Sequence, residues 1–237
     1  MTRQAVALAA LLVGCGDDDP IVVFAAASLS DAASVAAERV ERGTGRRVVV
    51  SVGSTALLAR QIERGAPADV FLAADPEWLD RLVERGHARE PRALATGRLV
   101  VIGPRGEPPV ASARAAVGGE RLAMGDPSHV PAGTRAHRTL DRLGLWDDVE
   151  RRVVYHADVR AVVAAVETGA ARRGVVYASD ARASSRVTVV HRFESGGESI
   201  AFAGALVGEA DGQRVLDALT DEEGRAGLAR LGFDPPQ

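Results

Sequence analysis

Short apolar runs alternate with segments of helical spacing along the chain from Ile21 onwards. The predicted strands are Ile21–Ala25, Arg47–Ser51, Asp69–Ala73, Arg98–Ile102, Arg121–Met124, Arg152–Val154, Gly174–Tyr177 and Val187–Val190. The predicted helices are Leu29–Arg42, Leu57–Arg64, one that opens at Asp75-Pro76-Glu77, Arg135–Leu143, Val159–Glu167, Asp211–Leu219 and Glu222–Leu231. Near-continuous apolar strands that alternate with helices are typical of mainly parallel sheets covered on both faces, so the pattern predicts an α/β fold.

The number of predicted strands is too large for one sheet in a chain of 237 residues, and two α/β lobes fit better. The first lobe is predicted to comprise residues 21–97 and 206–237, and the second residues 98–205 with the crossing segments. The candidate crossings are Gly97–Pro104 outwards and Ser199–Val207 back. The two C-terminal helices would then return to the first lobe.

The N-terminal residues predict export rather than a folded element. Residues 1–14 resemble a signal peptide, with an apolar run at Ala5–Val13 that is too short to cross a bilayer. The run leads into Leu12-Val-Gly-Cys15, which resembles a bacterial lipobox and holds the only cysteine of the chain. We therefore expect residues 15–20 to be a lipidated cysteine and an acidic tether. A lone buried thiol is the alternative.

The composition of the chain argues against several classes of function. A hydrophobic fraction of 46 % supports a substantial core, and the net charge of −3 comes without a basic stripe, which argues against nucleic acid as a partner. The absence of lysine excludes a phosphate-binding loop of the G-x-x-x-x-G-K-[ST] type. The five histidines show no metal-ligand spacing, so we expect no metal held directly by side chains.

The candidate binding residues lie at the junctions between a predicted strand and the helix that follows it. Ligands of open α/β sheets bind outside the carboxyl ends of the strands, and free N–H groups at helix N-termini attract anions there. Ala25-Ala-Ala-Ser28 and Gly125-Asp-Pro-Ser-His-Val-Pro-Ala-Gly133 are the most informative of these junctions, and together they suggest an anion held from two sides. The residues that follow predicted strands are Ser28, Ser54, Thr55, Asp75, Asp126, Ala132, Asp158, Tyr177 and Ser179.

Several candidate residues also have a structural interpretation. Ser28, Ser54, Thr55, Thr134 and Asp158 could be ordinary helix caps, and Tyr177 could be a core residue with its hydroxyl at the rim. Ser28, His156 and Asp158 could form the Ser–His–Asp triad of a hydrolase. No G-x-S-x-G motif accompanies these residues, so an enzyme is disfavoured.

At these residues the chain resembles the molybdate-binding proteins of bacterial ABC importers, which are periplasmic binding proteins with two lobes. The resemblance covers about Ile21 to Phe233. It is carried by Val23-Phe-Ala-Ala-Ala-Ser-Leu29, Leu58-Ala-Arg-Gln-Ile62, Gly65-Ala-Pro-Ala-Asp-Val-Phe71, Ala73-Ala-Asp75, Gly125-Asp-Pro-Ser-His-Val-Pro-Ala-Gly133, Asp158-Val-Arg160 and Gly174-Val-Val-Tyr-Ala-Ser-Asp180. The segment from Gly125 to Gly133 is the most specific of them.

The resemblance implies a set of ligands for a tetrahedral oxyanion. The first lobe would contribute the hydroxyls of Ser28 and Thr55, and the second the backbone N–H groups of Ala132 and Val159 and the hydroxyl of Tyr177. The family usually has serine at the position of Thr55; threonine keeps the donor and adds a methyl group.

The implied function is that of the substrate-binding component of a molybdate importer. Molybdate near neutral pH is a dianion that only accepts hydrogen bonds, and the implied shell contains donors without a carboxylate. Tungstate should bind as well, whereas sulfate or another oxyanion is the alternative ligand. We expect no cofactor and no catalysis. The expected protein is a monomer, held to the extracytoplasmic membrane face by its lipid alone, whose closed form an ABC permease with its ATPase would recognise.

Overall fold

Two five-stranded sheets form the framework of the protein. A computed structural model describes residues 19–193, 200–208 and 210–236. The first sheet has the order β2-β1-β3-β10-β4, and the second has the order β7-β6-β8-β5-β9. The strands are β1 (Ile21–Ala26), β2 (Val48–Gly53), β3 (Val70–Ala73), β4 (Arg89–Gly97), β5 (Leu99–Pro104), β6 (Leu122–Gly125), β7 (Val153–His156), β8 (Arg173–Tyr177), β9 (Val187–Arg192) and β10 (Ile200–Leu206).

Both sheets are mixed. In the first, β1, β2 and β3 run parallel, while β10 pairs antiparallel with β3 and β4. In the second, β6 pairs parallel with β7 and β8, while β5 pairs antiparallel with β8 and β9. Four of the five strands in each sheet therefore run in one direction, and the three adjacent parallel ones place their carboxyl ends at one edge, as the predicted binding site requires.

Helices cover the two sheets and complete the two-lobed α/β fold. They are α1 (Ser30–Thr44), α2 (Thr55–Glu63), α3 (Pro76–Glu84), α4 (Ala113–Val117), α5 (Pro131–Arg142), α6 (Trp146–Val149), α7 (Val159–Glu167), α8 (Ala178–Arg182), α9 (Gln213–Thr220) and α10 (Glu222–Arg230). The helices α1, α2, α3, α9 and α10 pack on or beside the first sheet, and α4 to α8 on or beside the second. Within the described ranges, no helix is both long and apolar enough to span a bilayer.

Local sequence signals explain several helix ends. Asp75 caps α3 by accepting the Glu77 N–H, with Pro76 as the first helical residue, as its sequence predicts. The predicted end of the first helix at Arg42 is wrong, because α1 continues to Thr44 and the left-handed residue that follows it is Gly45, at φ 73°.

The return crossing differs from the prediction. Strand β10 belongs wholly to the first sheet, so residues 200–205, which we assigned to the second lobe, pair with β3 and β4 instead. On the outward crossing, Arg98 alone separates β4 from β5. The signal peptide at 1–14, Cys15 and most of the tether lie outside the described residues.

Candidate functional site

A small pocket lies between the two sheets, at the carboxyl ends of their parallel strands. The first lobe lines it with residues that follow β1, β2 and β3, and the second with residues that follow β6, β7 and β8. All five predicted ligands, Ser28, Thr55, Ala132, Val159 and Tyr177, are among the lining residues. The structure therefore brings together five positions that are spread over most of the chain.

Ser28 lies in a 3₁₀ turn, Ala27–Leu29, between β1 and α1. Its predicted alternative role as a helix cap is wrong, because neither the turn nor α1 receives a side-chain cap. The residue is 6 % exposed, and its hydroxyl instead donates to Oδ2 of Asp180 at 3.4 Å. Asp180 belongs to the second lobe, so this bond joins the two lobes.

Thr55 is the first residue of α2, and the preceding residue performs the capping. Ser54 Oγ accepts the Leu57 N–H, which confirms Ser54 as an ordinary cap. Thr55 Oγ1 accepts the Ala74 N–H at 3.2 Å. Because this bond occupies a lone pair and not the proton, the Thr55 hydroxyl keeps its donor for the pocket.

Ala132 is positioned by a tight loop between β6 and α5. A Cβ on Gly133 would collide with the carbonyl of Gly125, so the two backbones can approach only without that atom. Proline opens the helix without an N–H of its own, and the amide of Ala132 is consequently the first donor of α5. Thr134 is not the cap that the sequence suggested; its hydroxyl donates to the Pro127 carbonyl at 2.8 Å.

Val159 is the first residue of α7, which begins and ends where predicted. Asp158 caps this helix by accepting the Ala161 N–H at 2.9 Å, which confirms its structural interpretation. The carboxylate of Asp158 thus accepts a hydrogen bond from the helix N-terminus, although the residue lines the pocket. The first-turn amide of Val159 has no acceptor within its own helix and is suited to an anion.

Tyr177 is almost completely buried at the end of β8. Its ring packs edge-on against Phe202, with centroids 5.2 Å apart. Its hydroxyl has no hydrogen-bond partner among the residues that the structure describes. Burial raises the pKa of the Tyr177 phenol above its ordinary range, and Asp180 and Asp75 raise it further. The group is therefore a neutral, permanent donor.

Charged side chains join the lobes at the rim of the pocket. Arg160 on α7 donates to the Ala27 carbonyl at 3.3 Å and to Ser30 Oγ and Asp31 Oδ2 at 2.8 Å each. On α5, Arg135 approaches Asp75 of the first lobe at 3.6 Å. These arginines bridge the lobes, whereas the described lining of the pocket itself contains neither arginine nor histidine.

Asp180 is the residue of this region that the ligand prediction missed. It lies in the first turn of α8, is 1 % exposed, and its Oδ2 accepts the Tyr177 N–H at 3.2 Å. Burial raises its pKa to about 7, against the lowering influence of Arg160. Asp180 is not one of the five predicted ligands, but it is hydrogen-bonded to one of them, Ser28.

The arrangement does not assemble a hydrolase. Ser28 donates to Asp180, and Asp158 caps α7; neither forms a hydrogen bond with His156 in the part of the chain described. Burial lowers the pKa of His156 and keeps its ring neutral near pH 7. Among the described residues there is also no cluster of His, Cys, Asp or Glu that could hold a metal ion.

Comparison with known proteins places the chain in a family. A sequence profile of the bacterial extracellular solute-binding protein family matches residues 21–234. The chain is 40 % identical to the molybdate-binding protein ModA of Escherichia coli over 186 residues, covering 75 % of this chain and 72 % of the relative. It is 35 % identical to ModA of Haemophilus influenzae over 227 residues, covering 90 % and 89 %.

A solved structure shares the fold. The periplasmic molybdate-binding protein of Azotobacter vinelandii superposes with a TM-score of 0.80 at 24 % identity, covering 92 % of this chain and all of that one.

Proposed function

This chain belongs to the bacterial extracellular solute-binding protein family, and we propose that it captures molybdate for an ABC importer. Proteins of this family bind solutes and are not enzymes. The names of the two relatives that are 40 % and 35 % identical support molybdate as the solute. The observation that supports the proposal is the pocket between the sheets, which is lined by residues of both lobes that carry hydroxyl and amide groups.

The proposed anion shell consists of the hydroxyls of Ser28, Thr55 and Tyr177 and the amides of Ala132 and Val159. The Thr55 hydroxyl retains a donor, and the Tyr177 hydroxyl is buried with no described partner. The amides open two helices whose dipoles favour negative charge at that end. A molybdate dianion would accept from all five, so attraction does not need a cation inside the pocket.

Anion binding at this position would also favour closure of the two lobes. Each sheet with its helices contributes one side of the pocket, so an anion that contacts both sides binds the closed arrangement better than an open one. The closed form is what we expect an ABC permease with its ATPase to recognise. We propose that the protein acts as a monomer, with residues 21–97 and the C-terminal segment in one lobe and residues 98 to the return crossing in the other.

The ligand range can be tested by thermal stabilisation. A ligand that binds only the folded state raises the melting temperature, and at a given concentration the rise is larger the tighter the ligand binds. We expect molybdate and tungstate to raise it, and sulfate and phosphate at the same concentration to leave it close to the unliganded value. Stabilisation by sulfate alone would assign the protein to the sulfate alternative.

We further propose that the protein works outside the cytoplasm, tethered through Cys15 after removal of residues 1–14. The lipobox-like sequence and the acidic residues that follow it support this. In cells fed a labelled fatty acid, the wild-type protein should carry the label. It should also enter the detergent phase when the cell extract is partitioned between water and a detergent. The Cys15→Ser variant should not, and equal labelling of both would contradict the anchor.

A further inference from the structure

The hydrogen bond between Ser28 and Asp180 affects what Ser28 can offer an anion. A serine hydroxyl has one proton to donate. In the structure that proton points to Oδ2 of Asp180, 3.4 Å away, while Oδ1 of the same carboxyl has no hydrogen-bond partner among the described residues. An ionised Asp180 therefore holds the donor that the anion shell requires.

We propose that Asp180 is a positioning residue that must be protonated for Ser28 to donate to the bound oxyanion, so that anion capture takes up a proton. This inference rests on the proposed oxyanion pocket. A proton from solvent would bind Oδ2 of Asp180, and the resulting O–H would donate to Ser28 Oγ. The serine would then turn its own proton to the anion. The Tyr177 N–H can remain on the carboxyl throughout.

The surroundings of Asp180 favour this exchange. The carboxyl is almost fully buried, and burial raises its pKa to about 7. Arg160 on α7 lowers the pKa, whereas Asp31 on α1 raises it. A dianion held beside Ser28 would add a second negative charge and raise the pKa of Asp180 further. The free protein is thus partly ionised near neutrality, and the bound form is protonated.

The other charged groups on the packed elements face elsewhere. On α7, Glu167 accepts from Ser184 and pairs with Arg186. On β9, the His191 ring contacts the Val110 carbonyl and Arg192 is exposed. The phenol of Tyr177, on the preceding strand, stays neutral because burial raises its pKa. Asp180 is therefore the buried carboxyl that is hydrogen-bonded to a proposed anion ligand, Ser28.

The proposal is tested by titration calorimetry of wild-type protein with sodium molybdate at pH 6, 7 and 8. Each pH is measured in two buffers that differ in ionisation enthalpy and carry no oxyanion. We expect the Kd to rise about tenfold from pH 6 to pH 8, with proton uptake near zero at pH 6 and approaching one per anion at pH 8. A flat Kd without proton uptake would overturn the inference while leaving the proposed function intact. No molybdate binding at pH 6 would refute the function itself, and the inference with it.

Variants identify the group that takes up the proton. Asp180→Asn is neutral and of the same shape, so its affinity should not vary with pH and its proton uptake should vanish. Asp31→Asn removes a negative charge at the same cleft without changing the partner of Ser28. It should keep both the pH-dependent affinity and the proton uptake. Persistent uptake in folded Asp180→Asn would overturn the assignment. If that variant does not fold, wild-type infrared difference spectra decide: molybdate at pH 8 should produce a protonated-carboxyl band, and its absence would overturn the proposal.

Discussion

Replacing Thr55 with valine tests the anion shell at one atom. The side chain is 1 % exposed, and its Oγ1 accepts the Ala74 N–H at 3.2 Å. Valine keeps the branched shape but removes the hydroxyl. The substitution therefore takes one donor from the anion and also leaves the buried Ala74 N–H without its acceptor.

These two losses have separate magnitudes. A hydrogen bond to a charged group contributes about 1.5–3 kcal/mol, so the molybdate Kd of Thr55→Val should rise roughly 10- to 150-fold. The unpaired amide of Ala74 should lower the free energy of unfolding by about 1–3 kcal/mol. In a domain of this size that corresponds to a melting temperature lower by roughly 2–4 °C for each kcal/mol.

The assay is titration calorimetry at pH 6, where we expect Asp180 to be protonated. Thr55→Ser keeps the hydroxyl and should bind molybdate within a few-fold of wild type. Thr96→Val is the control for losing a buried threonine hydroxyl elsewhere, since Thr96 Oγ1 donates to the Pro235 carbonyl at 2.9 Å. It should lose stability and keep its affinity. An unchanged molybdate Kd in Thr55→Val would refute Thr55 as a ligand, and so would an equal loss of molybdate affinity in Thr96→Val.

Four further substitutions have defined outcomes. Tyr177→Phe should raise the molybdate Kd about 10-fold or more in calorimetry while the melting temperature holds, because the hydroxyl has no described partner in the protein. Gly133→Ala should lower the melting temperature, because its Cβ would overlap the Gly125 carbonyl at a cost of about 1–3 kcal/mol or more. Gly43→Ala, in open space within a helix, should not lower it. The raised pKa of Asp180 means that the folded state binds this proton more tightly than the unfolded state. In urea unfolding, wild type should therefore lose stability relative to Asp180→Asn as pH rises from about 4 to about 8, and parallel pH profiles would contradict that sign.

The sequence alone is sufficient for elements whose signals are local. The bounds of Val159–Glu167 follow from an Asp cap before an apolar helical run, and the structure has the same bounds. The residues around the pocket also follow from a general rule, because parallel strands bring their carboxyl ends to one edge. That rule led to Thr55 and Tyr177, which now lie on opposite sides of the same pocket.

Other features depend on contacts that no local pattern reveals. Strand β4 was missed because Arg89–Gly97 begins with charged residues and includes Pro91, which a strand at the edge of a sheet tolerates. Asp180 could have been noticed as a carboxyl three residues after Tyr177, a spacing typical of helix starts. Its bond to Ser28, 152 positions away, depends on how the lobes meet and has no sequence signature.

The most direct test of the account is titration of the purified protein with molybdate at pH 6, alone and in a large excess of sulfate. The proposed function predicts tight one-to-one binding of molybdate, with an affinity that survives the sulfate. Binding that sulfate abolishes would contradict molybdate as the preferred ligand, and no binding of molybdate at all would contradict the proposed function.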